Sequence, residues 1–236
     1  MPGRNYFLLS ALPGLGELGS DPPIGRAELL ALLDEAPRPR AQAEAIFLAD
    51  DLLAREAALA GQVEAPEPLV LTAEQVRGDE PLPAWLAGAE AEPAAPAEGR
   101  LAVDAVWAAY FRHLAGVAGV GRFVPAWIAL EAGLRNALAA ARAKALSLDA
   151  HRYVVEVPGA LPAEEFTDVL AEWSAARTPL AGLRALDAAR WQWLVEHDGW
   201  FTFADDELAA YAAKLMLLHR WRRIAQAERQ DTRVPG

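Results

Sequence analysis

The chain has 236 residues, 53% of them hydrophobic and 23% charged, so it can bury a substantial core as one large domain or two small ones. Its formal net charge of −11 argues against general nucleic-acid binding, because that function needs a basic surface that displaces counterions. The absence of cysteine excludes disulfides, thiol catalysis and Cys-based metal sites, and it is compatible with a cytosolic protein.

The N-terminal segment opens with an apolar run. Residues 6–12, "YFLLSAL", are suited to a short strand or an extended buried segment that Pro13 ends. We expect no secretory signal here, because the apolar run is short and lacks an A-x-A cleavage site. No stretch of the sequence approaches the ~18 apolar residues that a membrane-spanning helix needs.

Two helices and a connector are predicted next. The helices lie at residues 24–36 and 40–61, and Gly61 is a plausible C-cap of the second. Residues 62–100 carry six prolines and many alanines and acids, which indicates an acidic connector with short helical pieces. We expect the disordered part of this connector at residues 89–99.

Amphipathic helices dominate the rest of the chain. Apolar residues in 101–117 recur at spacings of three and four, and the helix within 122–153, starting near Pro125, is predicted to be the longest. Further helices are predicted at 162–176, 179–198 and 204–230. The sequence therefore predicts an all-α fold of multi-helix bundles. Its predicted parts are an N-terminal extended segment with a helical hairpin, an acidic Pro/Ala-rich connector and a helical domain, at residues 1–61, 62–100 and 101–236.

The glycines of the N-terminal segment follow the spacing of a dinucleotide-binding loop. Gly14, Gly16 and Gly19 match G-x-G-x-x-G, but "SDPP" follows them and would end any helix within a few residues. No βαβ unit is predicted around them, so we reject this interpretation. The glycines in "GVAGVG" (116–121) indicate a turn between helices, and neither stretch has the lysine of a phosphate-binding loop.

Other chemically suggestive residues also favour structural interpretations. The pairs Asp50-Asp51 and Asp205-Asp206 lack the third acid of a magnesium motif, so we expect solvated faces, with the second pair at a helix start. No two of the four histidines have the i, i+3 or i+4 spacing that would place both on one metal ion. A tryptophan-rich stretch, residues 191–203, favours a helix-junction core over a carbohydrate or aromatic-ligand platform. We predict no catalytic, cofactor-binding or metal-binding residue.

Charged residues flank the apolar stripe of the helix predicted within 122–153. At about 100° per residue, Glu131, Arg135 and Arg142 fall on one flank, while Asn136 and Lys144 point elsewhere. Glu131 and Arg135 have the favourable i, i+4 order of an ion pair. Two interpretations of this flank stay open. It is either a solvated face with one weak ion pair or a polar surface that faces inward or towards a partner. The last predicted helix has a basic end that includes Lys214, Arg220, Arg222 and Arg223. These residues either dock on an acidic partner or on lipid headgroups, or they simply offset the helix dipole.

Three stretches of the sequence together resemble known proteins. "NYFLLSALPGL" (5–15) and "WLVEHDGWFTFADDELAAYAAKLMLLHRW" (193–221) resemble the two ends of a small bacterial family of unassigned function, whose genes tend to lie in V-type ATPase operons. "EAGLRNALAAARAKALSLDAHRY" (131–153) is similar to the Glu…Arg-Asn…Arg-x-Lys helix of the rotor-linking component of V-type ATPases, the one lettered C, or d in eukaryotes. In this chain that pattern falls on Glu131, Arg135, Asn136, Arg142 and Lys144.

The resemblance implies an all-helical, non-catalytic component of a bacterial V-type ATPase that links the central stalk to the membrane rotor ring and supports ATP-coupled ion transport. It implies stalk and ring subunits as partners, no cofactor, and a cytoplasmic location at the inner face of the cell membrane through the complex. The patterned residues would contact the shaft, and the basic residues of the last helix would face the ring. The chain is shorter than the typical rotor-linking component and shows no clear threefold repeat, so a reduced version of it and an accessory factor both stay open.

Two functions outside the ATPase also stay open. One is an all-α enzyme that acts on a small anionic substrate, with Glu131, Arg135 and Arg142 lining a closed cavity. The other is a free-standing helical adaptor whose acidic N-terminal half binds a basic partner. Residues 1–100 carry a net charge of −10, which would suit that second role.

Overall fold

The computed structural model describes residues 5–63, 65–87, 102–119, 121–199 and 202–231. Within these ranges the chain forms nine α-helices and two short 3₁₀ turns and contains no strand, which confirms the predicted all-α fold. The helices are α1 (Tyr6–Ala11), α2 (Arg26–Leu32), α3 (Pro37–Leu59), α4 (Ala73–Arg77), α5 (Ala102–Val117), α6 (Phe123–Ala145), α7 (Thr167–Ala175), α8 (Pro179–His197) and α9 (Asp205–Asp231). The 3₁₀ turns are Ala150–Arg152 and Ala163–Phe166.

The N-terminal segment differs from the prediction of an extended, buried piece. Tyr6–Ala11 forms the short helix α1, none of whose residues is fully buried, and Phe7 is 84% exposed. A lone extended segment would leave its backbone N–H and C=O groups without partners, whereas a helical turn pairs them internally. Leu8 and Leu9 still pack against the core from this helix.

Helix α9 lies at the centre of the fold. It contacts α2, α3, α6 and α8, and its residues from Leu208 to Leu218 are buried except at Tyr211 and Lys214. Alanines at 209, 210, 212 and 213 keep its surface narrow, so that neighbouring helices approach closely. A helix surrounded by protein needs apolar residues on nearly all sides, and this sequence supplies them.

Helices α5 and α6 pack side by side, and α5 also lies against α3. Six residues of α6 are predicted to form its apolar stripe: Trp127, Leu130, Leu134, Leu138, Ala141 and Ala145. The first four are buried, whereas Ala141 is half-buried and Ala145 is exposed, so the stripe is confirmed as far as Leu138. Pro125 lies in the first turn of this helix, as predicted. The predicted length is wrong, however: α6 ends at Ala145 and has 23 residues, whereas α9 has 27.

The connector contributes to the core where the structure describes it. The predicted short helical piece is α4, which Thr72 caps by accepting a hydrogen bond from the Gln75 N–H at 3.0 Å. Leu71, Val76 and Leu86 of this region are buried in the core. Residues 89–99, predicted to be disordered, lie outside the described residues. The core includes residues of both α3 and α9, and the predicted domain boundaries stay a prediction.

Gly133 of α6 marks a close approach that generates a prediction about stability. A Cβ atom at this position would lie 2.5 Å from the Leu161 carbonyl oxygen and 2.8 Å from a ring carbon of Phe166. We expect Gly133→Ala to lower the free energy of unfolding, measured in urea, by about 1–3 kcal/mol. Gly116 of α5 is the matched control, because a Cβ there meets nothing within 4 Å and Gly116→Ala should raise the stability by roughly 0.5 kcal/mol. Equal stability of the two variants would contradict the close contact.

Candidate functional site

Charged side chains from four helices form one connected group, which we call the Arg220 cluster: Glu131, Asp50, Asp187, Arg190 and Arg220. Asp50, Asp187 and Arg220 are buried, and Glu131 and Arg190 are half-buried. The Arg220 guanidinium donates from Nε to Asp50 Oδ1 at 3.0 Å and from Nη1 to Asp187 Oδ1 at 2.8 Å. Arg190 donates to the same Asp187 oxygen at 3.0 Å and holds Glu131 in a two-pronged pair at 2.6 and 3.1 Å. These contacts connect α3, α6, α8 and α9 through their charges.

Oppositely charged partners keep Asp50 and Arg220 ionised although both are buried. Burial by itself would raise the pKa of Asp50, but the positive charges of Arg220, Arg223 and Arg26 outweigh burial and hold the pKa below its usual value. Burial would also lower the pKa of Arg220, whereas Asp187 and Asp50 raise it above the usual value. Both groups therefore remain charged at neutral pH.

The expectation that Asp50 and Asp51 lie on a solvated face is wrong. Asp50 is 4% and Asp51 is 1% exposed. The Asp51 carboxylate accepts the backbone N–H groups of Leu69, Val70 and Leu71 at 3.1, 2.6 and 2.9 Å, which fixes the connector against α3. Burial raises the pKa of Asp51, and these three hydrogen bonds oppose that rise.

An inner cavity of about 480 Å³ lies beside the Arg220 cluster, between α3, α5, α6, α8 and α9. Apolar side chains form most of its wall, including Trp107, Tyr110, Trp127, Leu138, Leu186 and Met216. Charged side chains line it as well, namely Glu56, Asp104, Glu131, Arg135, Arg142, Arg190 and Arg220. The structure thus brings Glu131, Arg135 and Arg142, the three residues on one predicted flank of the helix, to one cavity.

The predicted ion pair between Glu131 and Arg135 is not formed. Glu131 is held by Arg190, as described above, and Arg135 reaches Asp104 at 3.5 Å and Glu56 at 3.6 Å. The Arg135 guanidinium also lies 4.4 Å from the centre of the Trp107 ring. Both partners lie on other helices, so tertiary packing replaces the local pair.

The other predicted residues of α6 fall into two environments. The Asn136 side chain donates to the Val155 carbonyl oxygen and accepts its N–H, both at 2.8 Å, so it fixes the chain that follows α6. Arg142 is exposed, and its guanidinium lies 5.4 Å from the centre of the Trp173 ring. Lys144 is exposed. Arg142 and Lys144 are therefore the residues of the pattern that solvent reaches most freely.

The basic residues of α9 do not share one surface. Arg220 is 8% exposed and paired inside the protein, which corrects its assignment to an outer docking face. Arg223 also pairs with Asp50, and Lys214 bonds Asp198 at 2.7 Å. Arg222 is exposed. Of the four predicted residues, Arg222 is the one whose position fits contact with another molecule directly.

An open groove lies between the N-terminal segment and helices α8 and α9. It is lined by Leu12, Pro13, Trp191, Tyr211 and Lys214, among others. Three long-range hydrogen bonds hold the segment in place: Asn5 to Asp205 at 2.8 Å, Tyr211 Oη to the Pro13 carbonyl at 2.9 Å, and His219 Nε2 to the Ile24 carbonyl at 2.8 Å.

The pair Asp205-Asp206 lies in the first turn of α9, as predicted, and neither residue is fully exposed. Asp206 Oδ2 accepts the backbone N–H of Arg122 at 2.8 Å. The acidic start of α9 therefore binds both the N-terminal segment, through Asp205, and the start of α6, through Asp206.

The tryptophan-rich stretch is part of a helix junction where the structure describes it. Trp193 lies with its ring centre 5.7 Å from that of Trp127 and 5.8 Å from that of Phe123. These contacts favour the predicted core role for Trp193. Trp200 and Phe201 lie outside the described residues.

Sequence reasoning missed Asp187 and Arg190, which complete the Arg220 cluster. Their spacing of three on α8 is typical of an ion pair, but it gives no indication that Asp187 would be buried or that Arg190 would also pair with Glu131. In the described residues, no group of three or more histidines or acids is placed to hold a metal ion. Among those same residues, no helix has the length and apolarity that crossing a membrane requires.

Comparisons of this chain with known protein families, with curated proteins and with solved structures found no match.

The Arg220 cluster predicts a large difference between two neighbouring arginines of α9. We expect Arg220→Met to lower the free energy of unfolding by about 2–4 kcal/mol, because Asp50 and Asp187 would lose the buried guanidinium they share and keep only their pairs with other arginines. Arg222→Met makes the same chemical change at an exposed position and should change stability by less than about 0.5 kcal/mol. Urea denaturation of both variants is the measurement, and similar losses would show that Arg220 is not held as described.

His219 predicts a dependence of stability on pH. Burial lowers its pKa below the usual value, more than the hydrogen bond to Ile24 raises it, so the unfolded chain binds a proton more readily than the folded one. Its contribution to stability is therefore complete above the ordinary pKa of about 6.5 and is lost as the pH falls below it. We expect wild type to lose stability relative to His219→Gln between about pH 7.5 and pH 5. A constant difference across that range would be inconsistent with the lowered pKa.

Proposed function

We propose that this chain is a non-catalytic subunit or accessory protein of a bacterial V-type ATPase, where it links the central stalk to the membrane rotor ring. The proposal rests on the resemblance of residues 5–15, 131–153 and 193–221 to proteins of that machine. The observation that supports it best is that these stretches, far apart in the sequence, belong to one folded unit. A resemblance confined to unconnected segments would carry less weight.

Specific contacts join the three stretches. The first and third meet where Tyr211 Oη donates to the Pro13 carbonyl at 2.9 Å and Asn5 donates to Asp205 at 2.8 Å. The second and third are joined by the packing of α6 on α9. The similarity therefore covers a connected part of the fold centred on α9.

Fewer of the predicted contact residues are accessible to a partner than the sequence pattern suggested. Asn136 and Arg220 are engaged inside the protein, and Glu131, Arg135, Lys214 and Arg223 pair with residues of this chain. Arg142, Lys144 and Arg222 remain exposed. We assign the partner contacts to these three cations, which suit acidic surfaces on the stalk or the ring.

The association is tested by affinity purification of the tagged chain from its own membranes. We expect stalk and ring subunits of the V-type ATPase in amounts close to that of the tagged protein. Lys144→Glu and Arg222→Glu should each reduce their recovery, because each reverses a charge at the proposed contact. Arg112→Glu is the control, since Arg112 is exposed on α5 and lies outside the proposed set. An ATPase that purifies intact without this chain would overturn the proposal.

A second measurement separates a coupling role from an assembly role. In membranes from cells that lack this chain, a coupling role predicts continued ATP hydrolysis with reduced ion pumping. An assembly role predicts that both activities fall together with the amount of complex. Normal coupling in these membranes would contradict both forms of the proposal.

A further inference from the structure

We propose that the inner cavity binds an elongated amphiphile with a single negative charge. Its carboxylate would pair with Arg142 at one end, its apolar chain would lie along the aromatic and aliphatic wall, and an acceptor oxygen at its far end would meet the Tyr110 hydroxyl. The cavity volume of about 480 Å³ lies in the range of roughly 300–1,000 Å³ that is usual for small-molecule sites. The site shares Arg142 with the surface proposed to contact the ATPase, but ligand binding to the purified chain does not depend on the ATPase role.

The charges that line the cavity indicate where an anion would bind. Glu56 and Asp104 face Arg135, Glu131 is held by Arg190, and Arg220 is occupied by Asp50 and Asp187. Arg142 contacts the Trp173 ring but has no carboxylate partner among the described residues. One uncompensated guanidinium matches one negative charge, and a planar carboxylate suits its paired donors.

The Tyr110 hydroxyl indicates the second anchor. Tyr110 is 1% exposed and lines the cavity, yet its hydroxyl has no hydrogen-bond partner among the described residues. Burial and the negative charge of Glu131 raise the pKa of Tyr110, so the hydroxyl keeps its proton. A buried donor without an acceptor costs free energy, and a ligand oxygen would remove that cost.

The positions of the two anchors set the length of the ligand. Helices α5 and α6 are consecutive and packed side by side, and Arg135 of α6 reaches Asp104 of α5 at 3.5 Å. Tyr110 is six residues after Asp104 on α5, so in an antiparallel pair it lies near the Glu131 level of α6, whereas Arg142 lies eleven residues further along α6. At 1.5 Å per residue this separation is about 16 Å. Leu138 lies between these levels and, with Trp107 and Leu186, supplies an apolar wall. An extended chain of about twelve carbons with oxygen at both ends has the required length and character.

Binding is tested by titration calorimetry with 12-hydroxydodecanoate, dodecanoate and the neutral 12-hydroxydodecanamide. We expect saturable binding of 12-hydroxydodecanoate to one site, with the amide at least about tenfold weaker because it lacks the charge. Arg142→Gln should weaken the acid about tenfold and leave the amide unchanged. Lys144→Gln is the matched control, because Lys144 is exposed on the same helix but does not line the cavity.

Tyr110→Phe tests the far end of the site separately. It should reduce the preference for 12-hydroxydodecanoate over dodecanoate by about three- to tenfold, the effect of one hydrogen bond. The same variant should leave the stability of the ligand-free protein unchanged or raise it, which a purely structural hydroxyl would not do.

Several results would overturn the proposal. These are the absence of saturable binding by either acid, equal affinities for the acid and the amide, and equal effects of Arg142→Gln and Lys144→Gln. A preference for the terminal oxygen that persists in Tyr110→Phe would overturn the assignment of Tyr110. Because Arg142 is exposed, its variant should fold normally, and urea denaturation verifies this.

Discussion

The guanidinium of Arg220 is withdrawn from water and lies between Asp50 of α3 and Asp187 of α8. A charge in this position is tolerable only if its partners are placed to compensate for the lost hydration. Arg190 extends the same group of contacts to Glu131 of α6. The relative placement of these four helices is therefore set by charge pairing as well as by apolar packing, and the alanine-rich surface of α9 allows the helices to come close enough for those pairs to form.

The inner cavity follows from this arrangement. The paired charges keep α6 and α8 at a fixed separation on one side, while Trp107 and Tyr110 of α5 close the other side. Ion pairs within the protein neutralise most of the charged side chains that line the cavity. Arg142 has no carboxylate partner in the part of the chain that the structure describes. A largely apolar cavity with a few well-placed polar groups is the usual form of a small-molecule site.

The helices were predictable because their apolar residues recur at helical spacing, and the stripe of α6 is buried as expected as far as Leu138. The conformation of the N-terminal segment was not predictable, since six apolar residues suit a strand or a short helix equally well. Asp50 and Asp51 looked solvated because nothing in their local sequence shows that Arg220 or the backbone of residues 69–71 will meet them. The flank of Glu131, Arg135 and Arg142 was identified correctly, but Glu131 and Arg135 pair across helices rather than with each other.

Composition and periodicity by themselves determined that this chain is helical, that it can bury a core, and which face of α6 points inward. They could not separate Arg220 from Arg222, because two arginines close together on one helix have the same local pattern. Only the tertiary structure decided that the first is buried between carboxylates and the second meets solvent. The physical reason is that helical spacing is a local property, whereas the cost of desolvating a charge depends on partners that are 33 and 170 residues away along the chain.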